Sequence, residues 1–453
     1  MRTTFAGIFS NDMAGIQVYN IRTYGAKVDG VTDDSAAVTA AINAAKATSG
    51  GIIFFPRGTT KLGGQSSVID LGATNQGQYI FQGEGSASKI MFYRMGTNVG
   101  LWMGGAGSIV FRDLCIVGEN DGVDSTANYE ASNVAMSISG CWHLMFDNVI
   151  WAGIAAVNVM LEITASNVTF RDCLFGGCTA PTYYLIGANT SLQSFKMYNC
   201  QFIDYYWMDG ILYNKLSVIS GGNNKAWLGI IADAALGALK TPNAIILKDC
   251  TFDENTTDTL LKLSGTAFNS VLIENCGLNG GLGGTTPIKL NTFAKATIRN
   301  TWAGYNTGTW TSLEATDVGL VDIDGLVHDN GATDIELLGT TKRLKLRNCQ
   351  NVSITNTANA LIDADQAMPA TASATALAPL GMTTHVTGTT TITSITATNF
   401  KTGDVLTLIF DSTAQISDGN NLVLNGNFTG GANRVLTLKY DGTNFVEQSR
   451  SAN

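Results

Sequence analysis

The feature that most constrains this chain is a repeat. An apolar residue, any residue, and then Asp, Asn or Gly recur as Phe111-Arg112-Asp113, Phe146-Asp147-Asn148, Phe170-Arg171-Asp172, Met197-Tyr198-Asn199 and Leu247-Lys248-Asp249. The series continues through Ile273-Glu274-Asn275, Ile298-Arg299-Asn300, Ile323-Asp324-Gly325 and Leu346-Arg347-Asn348. The third positions lie 35, 24, 27, 50, 26, 25, 25 and 23 residues apart. A period of about 25 marks a solenoid, whose coils bury their inner faces only by stacking. The 50-residue interval is twice the period, so a degenerate copy is expected near Ile219 to Asn224. The polar run Glu119 to Asn133 supplies the excess in the 35-residue interval.

Around each copy apolar residues alternate, as in Val271, Ile273, Cys276 and Leu278, the period of strands buried on one face. Asp, Asn and Gly tolerate the left-handed backbone of a sharp corner between two such strands. Five of the eight cysteines (Cys173, Cys200, Cys250, Cys276, Cys349) follow the corner directly, which predicts an inward column of reduced thiols. The expected fold is all-β: a right-handed parallel β-helix over 51–366 of some twelve coils, roughly 60 Å long at ~4.8 Å per rung.

The ends of a solenoid need covers. Thr32-Asp33-Asp34-Ser35 reads as a helix start, with Val38, Ile42 and Ala45 at helical spacing and Gly50-Gly51 as the stop. A helical N-terminal cap is therefore expected over 18–50, behind an arm of residues 1–17. At the other end, 367–379 reads as an Ala/Thr/Pro linker and 380–453 as a small antiparallel, sandwich-like β-domain with a hairpin turn at Asp441-Gly442. That domain is marginal in size, so it is expected to be stable when docked or oligomerised.

Charge narrows the partners. The formal net charge is −9 and no Lys/Arg cluster offers a basic face, so no nucleic-acid partner is expected. No stretch approaches the ~20 apolar residues of a membrane helix, so no membrane insertion is expected. Residues 1–12 lack an apolar segment, so export by a standard N-terminal signal is not expected either. The cysteines form no Cys-x-x-Cys pair and His143, His328 and His385 are scattered; no metal and no cofactor are expected.

Residues 18–60 carry Tyr-Gly-Ala, Asp-Gly-x-Thr-Asp-Asp and Phe-Pro-x-Gly in that order, which resembles the opening of the pectate-lyase-like superfamily. Residues 440–451, Tyr-Asp-Gly-Thr-Asn-Phe-Val-Glu-Gln-Ser-Arg-Ser, look like the ending of many bacteriophage tailspikes. The resemblance implies the β-helix, a homotrimer, and binding or cleavage of a bacterial surface polysaccharide. It also implies a place in the virion tail, assembled in the host cytoplasm, with other tail proteins met through the N-terminal arm. Asp29, Asp33 and Asp34 of the shared motif read as turn and cap residues rather than catalysts.

Glycoside hydrolysis needs two carboxylates flanking the bond. Counting from the corner, Asp204 is Asn199 plus five and Glu254 is Asp249 plus five, with Asp253 beside it. With one hidden coil between them they are expected two rungs apart, roughly 10 Å, near the inverting range. The stretch Tyr205, Tyr206, Trp207, Met208, Asp209, with Trp302 and Tyr305 further on, supplies aromatic faces of the kind on which sugars stack. The catalytic candidates are thus Asp204, Asp253 and Glu254, and the carbohydrate-binding candidates Tyr205, Trp207, Asp209, Trp302 and Tyr305. The loop with Asp121, Asp124 and Glu130 is a rival site, and Lys215, Lys248 and Arg299 are the bases a lyase would need. The alternatives to a glycoside hydrolase are a non-catalytic receptor-binding fibre and a secreted polysaccharide lyase.

Overall fold

A computed structural model describes residues 16–63, 67–92, 101–118, 132–154, 156–178, 184–188, 194–203, 205–208, 211–214, 226–230, 244–255, 260–265, 269–280, 286–304, 311–327, 333–349, 352–364 and 370–451. They fall into two compact units: Met1–Gly265 with Leu272–Ile288 and Trp302–Trp310, and Thr266–Val271 with Lys289–Thr301 and Thr311–Asn453. Both contain coils of a parallel β-helix.

The repeat makes the corner. Asp113, Asn148, Asp172, Asn199, Asp249, Asn275, Asn300, Gly325 and Asn348 all have left-handed φ, between 44° and 77°. In the first unit their side chains alternate in kind. The Asn148 amide donates to the Asp113 carboxylate (2.7 Å), Asn199 to Asp172 (2.7 Å) and Asn275 to Asp249 (3.0 Å). Directly after the corner, the thiols of Cys173, Cys200, Cys250, Cys276 and Cys349 donate to the carbonyl two residues back, at 3.2 to 3.4 Å. Thr301 makes the same bond with its hydroxyl, to Arg299 (2.9 Å). The position therefore asks for a small inward donor, and all eight cysteines are buried thiols outside any disulfide.

Every described pairing between coils is parallel. Strand Ser194–Tyr198 lies between Asn167–Arg171 and Ala244–Lys248, and after the corner Gln201–Ile203 lies between Leu174–Gly176 and the start of Thr251–Asn255. Inside, aromatic rings stack at the rung spacing: Phe81, Phe111, Phe146 and Phe170 at 4.7 to 5.0 Å, and Phe175, Phe202 and Phe252 at 4.5 and 4.7 Å.

These contacts correct one expectation. The Thr251 N–H donates to the Cys200 carbonyl (2.9 Å), Gln201 and Phe202 pair with Thr251 and Phe252, and the Phe202 and Phe252 rings touch. No coil lies between the corners at Asn199 and Asp249. The 50-residue interval is one enlarged coil. Its additional length holds an antiparallel hairpin of Tyr205–Met208 and Ile211–Asn214, followed by strand Ala226–Ile230, which joins the wall between Tyr184–Ala188 and Leu261–Ser264.

The N-terminal helix runs from Ser35 to Ala47 and buries Val38, Ala41, Ile42 and Ala45. Asp34 precedes it but does not cap it. Its buried carboxylate accepts the Lys27 and Val28 N–H groups (2.7 and 3.0 Å) and fixes the preceding turn. Asp29 accepts the Val31 and Thr32 N–H groups, and Asp33 those of Ser35 and Gly63. The three aspartates are occupied by backbone. Gly50, at φ +126°, lies where any Cβ would sit 2.1 Å from the Gln78 carbonyl oxygen, so only glycine fits beside that rung.

In the second unit Leu320–Val327, Arg343–Arg347 and Leu361–Ala364 stack in parallel, as do Leu313–Thr316, Thr333–Leu338 and Val352–Asn356. The last coil hands over by a parallel bridge from Ile362 to Gly381. Beyond it is a six-stranded sheet in the order Thr371–Ala372, Thr383–Thr387, Val405–Phe410, Arg434–Tyr440, Phe445–Arg450, Leu422–Val423. Its middle pairings are antiparallel and its outer ones parallel, so the sheet is mixed, not antiparallel throughout. Residues 370–379, expected as linker, contribute strands Thr371–Ala372 and Ala376–Leu377, and Leu377 is buried in the domain core with Val386, Leu408 and Phe445. The turn at Asp441 closes as expected, its carboxylate accepting the Thr443 and Asn444 N–H groups. Among the described residues no helix is long and apolar enough to cross a membrane.

Candidate functional site

The corrected register moves the candidate acids. Asp253 and Glu254 lie on strand Thr251–Asn255, which pairs directly with Gln201–Ile203, the strand that leads into Asp204. Neighbouring rungs are ~4.8 Å apart, half the separation a hidden coil would impose. On the far side the same strand pairs with Gly277–Gly280, and Gly277 in turn with Trp302. Gln201, Thr251, Gly277 and Trp302 thus follow one another in a single column, and Trp302 is half-buried. Tyr205 and Trp207 belong to the hairpin that the enlarged coil adds after Ile203. Asp204, Asp209 and Tyr305 lie outside the described residues, as do Asp121, Asp124, Glu130, Lys215 and His328.

A second outer face of the same unit lies just before the corners. Register places three outward columns side by side. Gln78, Ser108, His143, Asn167 and Ser194 form the first. The second is Ile80, Val110, Met145, Thr169, Lys196 and Ile246, all half-buried. The third is Gln82, Arg112, Asp147, Arg171, Tyr198 and Lys248. Asp147 holds the third column together: Arg171 donates to both its oxygens (2.8 and 2.7 Å) and Arg112 approaches to 3.4 Å. The Arg171 hydrogen bonds keep the Asp147 carboxyl below its ordinary range, against the opposing pull of burial. One step further Lys248 pairs with Glu274 (3.1 Å). A carboxylate held this way does not give up or take protons near neutrality, so Asp147 binds and braces.

Trp142 sits at the edge of this face, 55% exposed, beside exposed His143. Its backbone carbonyl accepts the Asn167 amide (3.3 Å). An exposed indole beside a half-apolar strip with polar flanks suits a pyranose chain, whose C–H faces stack while its hydroxyls find donors and acceptors. Sequence reasoning passed over Trp142 because only its position at the bend after Gly140, at φ +71°, turns it outward. On the next wall the Ser137 hydroxyl donates to Glu162 (3.0 Å). His385 pairs with Asp411 (2.9 Å) in the second unit. Among the described residues no group of His, Cys, Asp and Glu is arranged to hold a metal ion. Burial pushes the Cys141 and Cys178 thiols up to about 12, which keeps them protonated and inert.

Comparison with known proteins agrees with this architecture. The family model for rhamnogalacturonase A/epimerase, pectate lyase-like, matches residues 18–62. Mannuronan C5-epimerase AlgE1 of Azotobacter vinelandii is 44% identical over 52 residues, 12% of this chain and 4% of that protein. The chain thus matches only a small part of the length of that relative. Among solved structures, ORF18 of Geobacillus virus E2 superposes with a TM-score of 0.50 at 14% identity, over 96% of this chain and 76% of that one. Tailspike protein 3 of bacteriophage CBA120 superposes with a TM-score of 0.49 at 12% identity, over 96% of this chain and 69% of that one. Residues 18–62 thus match a pectate-lyase-like model of the rhamnogalacturonase A/epimerase type, and the coils that follow them are a parallel β-helix, a fold shared with the viral protein.

Proposed function

We propose that this protein is a tailspike of a phage or prophage that binds and hydrolyses a bacterial surface polysaccharide. In this reading Asp204 and either Asp253 or Glu254 are the two carboxylates, and Tyr205, Trp207, Asp209, Trp302 and Tyr305 line the sugar path. The observation that carries the reading is the adjacency of strands Gln201–Ile203 and Thr251–Asn255, with an added hairpin beside them. Carboxyl groups about 5 to 5.5 Å apart act with retention, one as nucleophile and the other as acid and then base, whereas inversion needs roughly 6.5 to 9.5 Å. One rung of ~4.8 Å therefore favours the retaining mechanism.

The β-helix shared with a viral protein and the pectate-lyase-like N-terminal segment support the polysaccharide reading through the fold. A homotrimer, attached to the tail through residues 1–17, completes it. The test is incubation of the purified protein with surface polysaccharides from a panel of bacteria and mass spectrometry of the products. Fragments carrying one added water are expected, and Asp204→Asn, Asp253→Asn and Glu254→Gln are expected to separate the two participants, each lost with at least a 10³-fold drop in rate, from the bystander. Binding of a glycan without fragments would make the protein a receptor-binding fibre. Fragments with an unsaturated end would make it a lyase.

A further inference from the structure

The second unit contains a cleft of about 420 Å³ where the outer side of its coils meets the C-terminal domain. Leu320, Arg343, Lys345 and Asp363 line it from the coils, and Met382, Lys401, Gly403, Asp404 and Val405 from the domain. Its volume is within the range of small-molecule sites, about 300 to 1,000 Å³.

The charges in the cleft do not cancel. Arg343, only 7% exposed, points one guanidinium nitrogen at both oxygens of Asp404 (3.2 and 3.1 Å). Asp404 also accepts the Lys401 backbone N–H (2.7 Å), so its charge is already engaged by Arg343 and by backbone. Asp363 is held by Arg347 (2.8 Å), and Asp322, the neighbour of Lys345 on the preceding rung, by Lys295 (3.0 Å). Among the described residues, that leaves the side chains of Lys345 and Lys401 without an ion-pair partner. Two uncompensated ammonium groups thus line one cleft of a chain whose formal net charge is −9. Leu320, Met382 and Val405 supply apolar surface between them.

We propose that this cleft binds an acidic sugar residue, its carboxylate between Lys345 and Lys401 and its C–H face on Leu320, Met382 and Val405. The anion preference rests on the cleft alone. The saccharide part rests on the proposed function and adds to it the charge of the glycan. The site contains none of the proposed catalytic residues, so it holds the polymer without cutting it.

The test is calorimetric titration of the full chain with D-glucuronate, D-glucose and inorganic phosphate. Glucuronate is expected to bind, with glucose and phosphate each at least tenfold weaker. Lys345→Ala and Lys401→Ala should each weaken glucuronate at least tenfold, and Lys345→Arg should retain most of the affinity. Both lysines are at least partly exposed, and an unchanged melting temperature in each variant confirms that its fold is intact. Salt should weaken the binding, as expected for a partly exposed ion pair. Equal binding of glucose, equal binding of phosphate, or glucuronate binding that survives Lys345→Ala and Lys401→Ala together would overturn the proposal. Glucuronate binding lost in the lysine variants, with no glycan cleaved by the wild type, would leave the cleft standing and remove the hydrolase. Cleavage that needs Asp253 or Glu254, with glucuronate ignored, would do the reverse.

Discussion

At the residue scale the corner explains the composition of the repeat. Left-handed backbone costs a typical residue ~1–2 kcal/mol, and Asn and Asp lower that cost through local hydrogen bonding. Stacking adds a second demand, because side chains on successive rungs meet. Alternation of Asp and Asn in the first unit turns that meeting into an amide–carboxylate bond each time, at 2.7 to 3.0 Å. Asn199→Asp would put carboxylates on three successive rungs, Asp172, 199 and Asp249, since corners 172, 199 and 249 are adjacent. Like charges so placed repel, and the new carboxyl would titrate above its unfolded value of ~3.9. A group with a raised folded value loses stability as pH climbs through that range. The expected outcome is a lower melting temperature than wild type at pH 7 and a gap that closes below about pH 4. The corner residues were legible in the sequence, all nine of them. Why cysteine follows was not, because the thiol's partner is a carbonyl two residues back that only the bend exposes.

Two kinds of ladder act at the scale of the element. Inside, Phe175, Phe202 and Phe252 stack face to face, and Phe202→Ala would remove the middle ring. Truncating a buried Phe costs about 3 to 5 kcal/mol, to be read as a shift in the denaturant midpoint without a change in slope. Outside, Asp147 lies between Arg112 and Arg171. Because its folded value is depressed, its contribution is complete above the unfolded value of ~3.9 and fades as pH falls through the lower folded one. Asp147→Asn should therefore cost about 1 kcal/mol at pH 7, discounted because Arg171 is half exposed, and progressively less as pH falls below ~3.9, in denaturant melts. Strands and helix were legible from period two and period 3.6. The aspartates before the helix were legible as turn and cap residues; which one holds the turn was not, since only burial and two N–H donors commit Asp34 to Lys27 and Val28. The opening strands of the C-terminal domain were hidden for a different reason. Ala and Thr between prolines carry no alternation, and only the burial of Leu377 marks them.

The scale of the whole molecule is where the repeat misled and where function enters. An interval of twice the period looks like two coils, but what identifies a coil is its pairing, and the strands on both sides of the Asn199 corner pair directly with those on both sides of the Asp249 corner. The insertion is an elaboration of one coil, and elaborations of a regular scaffold are where sites are built. That single change of register brings the strand carrying Asp253 and Glu254 next to the one that leads into Asp204, and it changes the expected chemistry from inversion to retention. The configuration of the newly formed reducing end, followed by proton NMR in the first minutes of cleavage of a susceptible glycan, separates the two mechanisms. Retention of the anomer, together with one oxygen from solvent in the product, is the predicted result. Inversion would contradict the one-rung pair, and a product with no solvent oxygen would contradict hydrolysis itself.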